Sequence, residues 1–271
     1  MTIGQGEDAS GALGHMRILV TNDDGIHAEG LAVAEAIAHD LAGPDGEVWV
    51  VAPHDEQSGA SRSLSLSQPI RLHHIGERRL AVRGTPADCV IMALCHLMPA
   101  RPDLVISGVN RGQNIADDIT YSGTIAAAME GAVLDVPSFA LSQCYGIERD
   151  EVPWEVARTH GAAVIRRVLA AGDAAGRLFN VNFPDCRPEE VRGVVACRQG
   201  KRDINELVVD ARTDPRGRPY YWLGFRRRAG NPPPGTDLHA IQNRRIAVTP
   251  LHLNLTRQAG LNAMAAQLDE P

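Results

Sequence analysis

The feature that most constrains this chain is the order of apolar runs between Arg17 and Ala52. Ile18, Leu19 and Val20 read as a short buried strand. Ala28 to Leu41 then carries apolar residues at helical spacing (Leu31, Ala34, Ile37, Ala38, Leu41) and stops at Gly43-Pro44. Glu47 to Ala52 is a second apolar run. Strand, helix and strand in about 35 residues make a βαβ unit, which demands a parallel sheet and a right-handed crossover. The first strand ends in Thr21-Asn22-Asp23-Asp24-Gly25. Asn, Asp and Gly are ordinary turn residues, so these five are at the least a strand-to-helix turn. Their position adds a second meaning, because open α/β sheets bind ligands at the carboxyl ends of their strands.

The rest of the chain repeats the theme. A polar loop, Pro53 to Ser61, follows the second strand. Ile70 to His74 and Arg79 to Arg83 flank Ile75-Gly76-Glu77-Arg78 and predict a hairpin. Thr85, Pro86 and Asp88 fit N-cap, first turn and capping box of a helix running to about Met98. Asp103 to Ser107 is a third strand and delivers Gly108 to Asn114 at its end. Tyr121-Ser122-Gly123-Thr124 precedes a helix of small residues from Ile125 to Leu134. A strand at Val136 to Ser142, a helix at Pro153 to Ala171 and a strand at Leu178 to Phe183 follow. After about residue 190 short strand-like pieces (Val191 to Gln199, Tyr220 to Phe225, Arg245 to Pro250) alternate with Pro/Gly-rich segments, which predicts an antiparallel arm and a terminal helix at Thr256 to Leu268.

Composition narrows the partners. The 271 residues suffice for one large domain or two smaller ones. A net charge of -6 argues against a nucleic-acid duplex, whose readers present a basic face. It leaves room for a small phosphorylated substrate if a metal supplies local positive charge. Arg226-Arg227-Arg228 reads as a solvated face. Five cysteines (Cys89, Cys95, Cys144, Cys186, Cys197) with no C-x-x-C pair fit reduced thiols in a cytoplasmic protein. No apolar run reaches the length of a membrane span. Residues 1–15 are Gly-rich, lack the regions of a signal peptide and read as a disordered extension.

Three loops at one edge of the sheet carry Asp23 and Asp24, then Ser58, then Asn110. All four offer oxygen, which suits Mg²⁺ or Mn²⁺ better than Zn²⁺. His27 and His54 are near in sequence, but a lone loop histidine is more often neither ligand nor acid–base group. Ser122, Gly123 and Thr124 open a helix, whose free N–H groups and dipole favour an anion, and Asn114 has an amide to add. Metal beside phosphate points to metal-assisted phosphate-ester hydrolysis. A dinucleotide-binding dehydrogenase would need G-x-G-x-x-G after the first strand, where this chain has Asn22-Asp23-Asp24-Gly25. A zinc deacetylase would need histidine ligands. A phosphatase with an aspartyl-phosphate intermediate and a non-catalytic nucleotide sensor remain as rivals.

In this order and spacing NDDGIHAEG, QSGASRSLS, GTPADCV, PDLVISGVNRGQN and YSGTIAAAMEGA resemble the SurE family, the survival-protein-E nucleotidases. The match continues through Asn180 to Pro184, Asp214 to Gly217, Pro234 to Asp237 and Val248 to Leu251, and covers about residues 16–256. The resemblance implies a Rossmann-like three-layer α/β/α sandwich in residues 16–190, with residues 191–271 as a β-rich arm and helix that exchange between subunits of a homodimer or homotetramer. It implies a cytoplasmic phosphatase of nucleoside 5′-monophosphates, with 3′-monophosphates as a second class. Asp23, Asp24, Ser58 and Asn110 would hold one divalent metal per subunit, with the aspartates as the catalytic pair. Asn114, Ser122, Gly123 and Thr124 would hold phosphate. Two positions depart from the family pattern. Ala116 stands where glycine is usual, which stiffens the loop after Asn114, and His54-Asp55 replaces an Asp-Arg pair, which bears on substrate preference.

Overall fold

The computed structural model describes residues 16–146, 151–172, 177–201, 206–226 and 230–268. The N-terminal extension, Arg227 and Arg228 lie outside them. β1 (Arg17–Thr21), α1 (Glu29–Ala42) and β2 (Glu47–Pro53) form the expected βαβ unit, with Ile18 opposite Val48 and Val20 opposite Val50. On its other side β1 pairs in parallel with β5 (Leu104–Arg111), setting Thr21 opposite Ser107. β3 (Arg71–Gly76) and β4 (Arg79–Arg83) make the hairpin, and β4 lies parallel to β2. β6 (Ser138–Gln143) and β7 (Leu178–Phe183) continue in parallel beyond β5. Their residues are buried throughout, as strands covered on both faces require.

The chain leaves β1 towards β2 and returns on its other side at β5. The crevice at the carboxyl ends of β1 and β5 is therefore a topological switch point. Asp23 and Asp24 follow one of these strands, and Asn110 lies at the end of the other.

Helices cover both faces. α1 and α4 (Glu155–Leu169) pack with Ile18, Val20, Ile106 and Phe139 on one side. α2 (Pro86–Met92) and α3 (Gly123–Val133) pack with Leu19, Val51 and Val105 on the other. Gly30 shows how closely α1 approaches the sheet. A Cβ there would stand 1.9 Å from the Val109 carbonyl oxygen, which places a backbone limit on this position. α2 begins with the predicted capping box: Thr85 Oγ1 accepts from the Asp88 N–H and Asp88 Oδ2 accepts from the Thr85 N–H. Such a cap is worth about 1 kcal/mol. The helix does not run to Met98 as one α-helix. Its last turn, Ala93–Leu97, widens to a π-helix and closes through Met98 N–H on the Ala93 carbonyl.

The boundary expected at residue 190 does not fall at a break in the sheet. β11 (Ile246–Leu251) pairs antiparallel with β7, and β8 (Val194–Ala196) pairs with β11, so both extend the same sheet. Ile246, Ala247 and Val248 are buried there and cover what would otherwise be an open edge at β7. Among the described residues only β9 (Glu206–Thr213) and β10 (Pro219–Arg226) stand apart, as a two-stranded hairpin. The sequence shows β10 by its aromatics but gives little sign of β9, whose pairing supplies the order its own composition lacks. α5 (Asp237–Gln242) is tied to the loop before α3 by Asp237, whose carboxylate accepts from the N–H groups of Ala116, Gly200 and Leu238, each at 2.8 Å. α6 (Gln258–Leu268) ends the described chain. No helix among the described residues is long and apolar enough to cross a membrane.

Candidate active site

The turn after β1 is shaped by Asn22. Its Nδ2 donates to the Gly25 carbonyl at 2.9 Å and its Oδ1 accepts from the Gly25 N–H at 3.2 Å. This closed loop holds Asp23 and Asp24 at the switch point. Asp23 is buried. Its Oδ1 accepts the Thr124 hydroxyl proton at 2.6 Å, and the side chain lies directly over Gly123. A Cβ at Gly123 would stand 2.7 Å from Asp23 Cβ and 2.8 Å from Oδ2, so the first turn of α3 accepts Asp23 only because residue 123 is glycine. The free end of the helix thus faces a carboxylate of the chain itself, the charge its dipole favours.

Asp24 is less buried and accepts from the Arg111 N–H at 3.3 Å, which joins the loops after β1 and β5. Burial raises the pKa of both aspartates. The Thr124 hydrogen bond works the other way on Asp23. The Asp23 charge adds to the rise at Asp24, which is pushed up to about 6. Glu56 adds further negative charge to both.

The loop after β2 closes over this pair. Gln57 N–H donates to the Asp23 carbonyl at 2.8 Å, and Ile26 N–H to the Pro53 carbonyl at 2.8 Å. Ser58 is exposed and donates its hydroxyl to Glu56 Oε1 at 2.7 Å. Asn110 donates its Nδ2 to the Gly112 carbonyl at 2.9 Å, which leaves its Oδ1 for another partner. His27 lines a cleft of about 710 Å³ with Asp24, Glu56 and Arg111, and Arg111 lies 5.7 Å from the Tyr145 ring centre. His54 instead pairs with Asp55 at 3.0 Å and leans on His73, with ring centres 5.3 Å apart.

The donor set fits a hard divalent ion. Two adjacent carboxylates meet here, and burial followed by the Asp23 charge raises Asp24 further than the Arg111 N–H and guanidinium lower it. Ser58 and Asn110 lie on the two loops that touch the aspartate loop. Among the described residues no three His, Cys, Asp or Glu side chains converge as a metal site; the oxygen donors on the adjoining loops are the Ser58 hydroxyl and the Asn110 amide.

The structure assigns different partners to part of the expected phosphate site. Ser122 caps α3, its Oγ accepting from Ile125 N–H at 3.1 Å, which leaves its own proton to give. Thr124 is fully buried and its one hydroxyl proton goes to Asp23, so in this geometry it orients a carboxylate and does not donate to phosphate. Asn114 is buried in an amide network: Nδ2 donates to Ser142 Oγ at 2.9 Å, and its carbonyl accepts from Asn180 and Asn182. Asn180 and Asn182 alternate along β7 and so share a face, which explains that paired motif. Ala116 has φ of +52°, the left-handed region where glycine is at ease, and is held by Asp237 and Gln199. Sequence reasoning missed Glu56, whose loop placement gives no periodic signal.

Residues 18–206 match the family model described as Survival protein SurE. The chain belongs to the SurE family. It is 56% identical over 253 residues to the 5′-nucleotidase SurE of Methylorubrum populi, covering 93% of this chain and 98% of that one. It is 57% identical over 252 residues to the 5′-nucleotidase SurE of Methylobacterium nodulans, covering 92% and 98%. The crystal structure of the SurE protein from Aquifex aeolicus superposes with a TM-score of 0.80 at 36% identity, covering 93% of this chain and all of that one. The nine-stranded sheet with helices on both faces is thus the SurE architecture.

Proposed function

We propose that this SurE-family chain is a metal-dependent 5′-nucleotidase that releases phosphate from nucleoside 5′-monophosphates. One observation carries the reading: two adjacent carboxylates are seated between the strand ends and the first turn of α3, in a chain whose relatives at 56–57% identity bear the name 5′-nucleotidase. Asp23, Asp24, Ser58 and Asn110 supply the oxygen ligands of one Mg²⁺ or Mn²⁺ per subunit. When bound, the ion adds positive charge beside the scissile phosphate and acidifies water.

The chain's own residues set the geometry. Thr124 and Gly123 fix Asp23 in one orientation. Ser122 keeps a proton for a phosphate oxygen at the end of α3, where the dipole favours negative charge. Asn114 holds the intervening loop against β7 through its network. The cleft beside Asp24 receives the nucleoside half.

Phosphate release from a panel of 5′- and 3′-nucleotides tests the reading. EDTA-treated protein is expected to be inactive and to recover with Mg²⁺ or Mn²⁺. Recovery with Zn²⁺ alone would contradict the ligand set, and nucleotide binding without release would make the chain a sensor.

The proposal includes a cytoplasmic homodimer or homotetramer. None of the five cysteines is in a disulfide, which suits a reducing compartment. The hairpin of β9 and β10 leaves Tyr221, Trp222 and Leu223 exposed, and α6 exposes Leu261, Met264 and Leu268. Apolar surface of this kind on a projecting element marks an interaction site, and a second copy is the partner proposed. Light scattering at micromolar concentration is expected to give a dimer or tetramer; a monomer mass would sink the assembly.

A further inference from the structure

The loop between β2 and β3 delivers Ser58, yet Ser58 stands on neither strand nor helix. Its position must be set by contacts elsewhere in the loop. Ser61 has φ of +50°, a left-handed conformation that a serine keeps only where its surroundings hold it. The next residue supplies the hold. Arg62 Nε donates to Glu130 Oε1 at 2.6 Å, and the Glu130 side chain, on α3, is only 9% exposed. Ser61 Oγ donates to the Thr120 carbonyl at 3.2 Å. Further on, the Ser63 carbonyl accepts from Thr85 Oγ1 at 2.7 Å and Ser65 N–H donates to Asp88 Oδ1 at 3.1 Å.

α3 is therefore used twice. Its first turn seats Asp23 through Thr124 and Gly123, and about two turns further on it seats Arg62 through Glu130. The reaction outlined above makes no use of a carboxylate at 130. A buried charge of this kind is kept where a partner compensates it.

We propose that the Arg62–Glu130 pair is a positioning device for the metal site, fixing the loop so that Ser58 Oγ faces Asp23 and Asp24. The inference rests on the metal-site reading given under the proposed function. Arg62 acts through Ser58 and touches neither metal nor phosphate. The same loop conformation lets Glu56 take the Ser58 proton, which leaves oxygen lone pairs to a cation, and lets Gln57 bind the Asp23 carbonyl.

Calorimetric titration of the full chain with Mn²⁺ tests this, with melting curves to show that each variant is folded. Arg62→Ala is expected to weaken Mn²⁺ binding by about tenfold or more, the usual effect of losing support behind a ligand. Arg62→Lys should recover part of the loss, since it keeps the charge without the planar fork. Added to Ser58→Ala, Arg62→Ala should cost nothing further. If Arg62→Ala does not fold, Glu130→Gln removes the charge with little change of shape and should show the same loss and the same dependence on Ser58. Wild-type affinity in the single variants, or an equal loss when Ser58 is already alanine, overturns the inference. Failure of the wild type to bind Mn²⁺ overturns the metal-site reading itself, and the positioning role with it.

Discussion

Asp23→Asn is expected to lower kcat for a nucleoside 5′-monophosphate by about a hundredfold or more, the scale of losing one strong electrostatic stabiliser. The substitution preserves size, and the asparagine Oδ1 can still accept the Thr124 hydroxyl that now reaches Asp23 at 2.6 Å. Packing and orientation are thus retained while one negative charge is lost. That charge matters most where the proposed metal offsets electron density leaving the breaking P–O bond, so the effect falls on the transition state more than on bound substrate. Steady-state kinetics at saturating Mn²⁺, on protein shown to be folded, measures it. Near-normal kcat would remove Asp23 from the catalytic ligands.

Gly123→Ala should damage activity without touching any charge. The added Cβ would meet Asp23 Cβ at 2.7 Å and Oδ2 at 2.8 Å, closer than carbon and oxygen tolerate. Residue 123 is the first residue of α3, where alanine is no worse a helix former than glycine. The helix is therefore expected to stay and the carboxylate to move. A displacement near 1 Å at a reacting centre costs on the order of a hundredfold in rate. The melting temperature should fall by several degrees, because the nearest atom is Asp23 Cβ and relieving an overpacked site costs about 1–3 kcal/mol. Wild-type rates in a stable Gly123→Ala variant would mean that the seat of Asp23 is not needed in this geometry.

Local signals in the chain are legible where the physics is local. The βαβ unit, the capping box at Thr85 and Asp88, and β7 from Leu178 to Phe183 all follow from periodicity and cap chemistry. Roles set by distant partners were not legible. Ser122, Gly123 and Thr124 do open a helix, but Thr124 meets Asp23 across 101 residues of sequence, and no spacing rule reveals that pairing. Arg62 and Glu130 meet across 68, and Asn114 and Asn182 across the same distance. The sheet hid its own extent for a related reason. β8 has only Val194, Val195 and Ala196, and becomes a strand because β11 presents an edge to it.

The most direct test of the account counts metal ions. Mn²⁺ bound to the protein is quantified by electron paramagnetic resonance while phosphate release from a nucleoside 5′-monophosphate is followed on the same samples. The wild type is expected to hold one Mn²⁺ per subunit, with activity rising in step with occupancy. The double variant Asp23→Asn, Asp24→Asn is expected to hold none at the same concentration and to release no phosphate. A double variant that still binds one Mn²⁺ per subunit at wild-type affinity would contradict the assignment of the site.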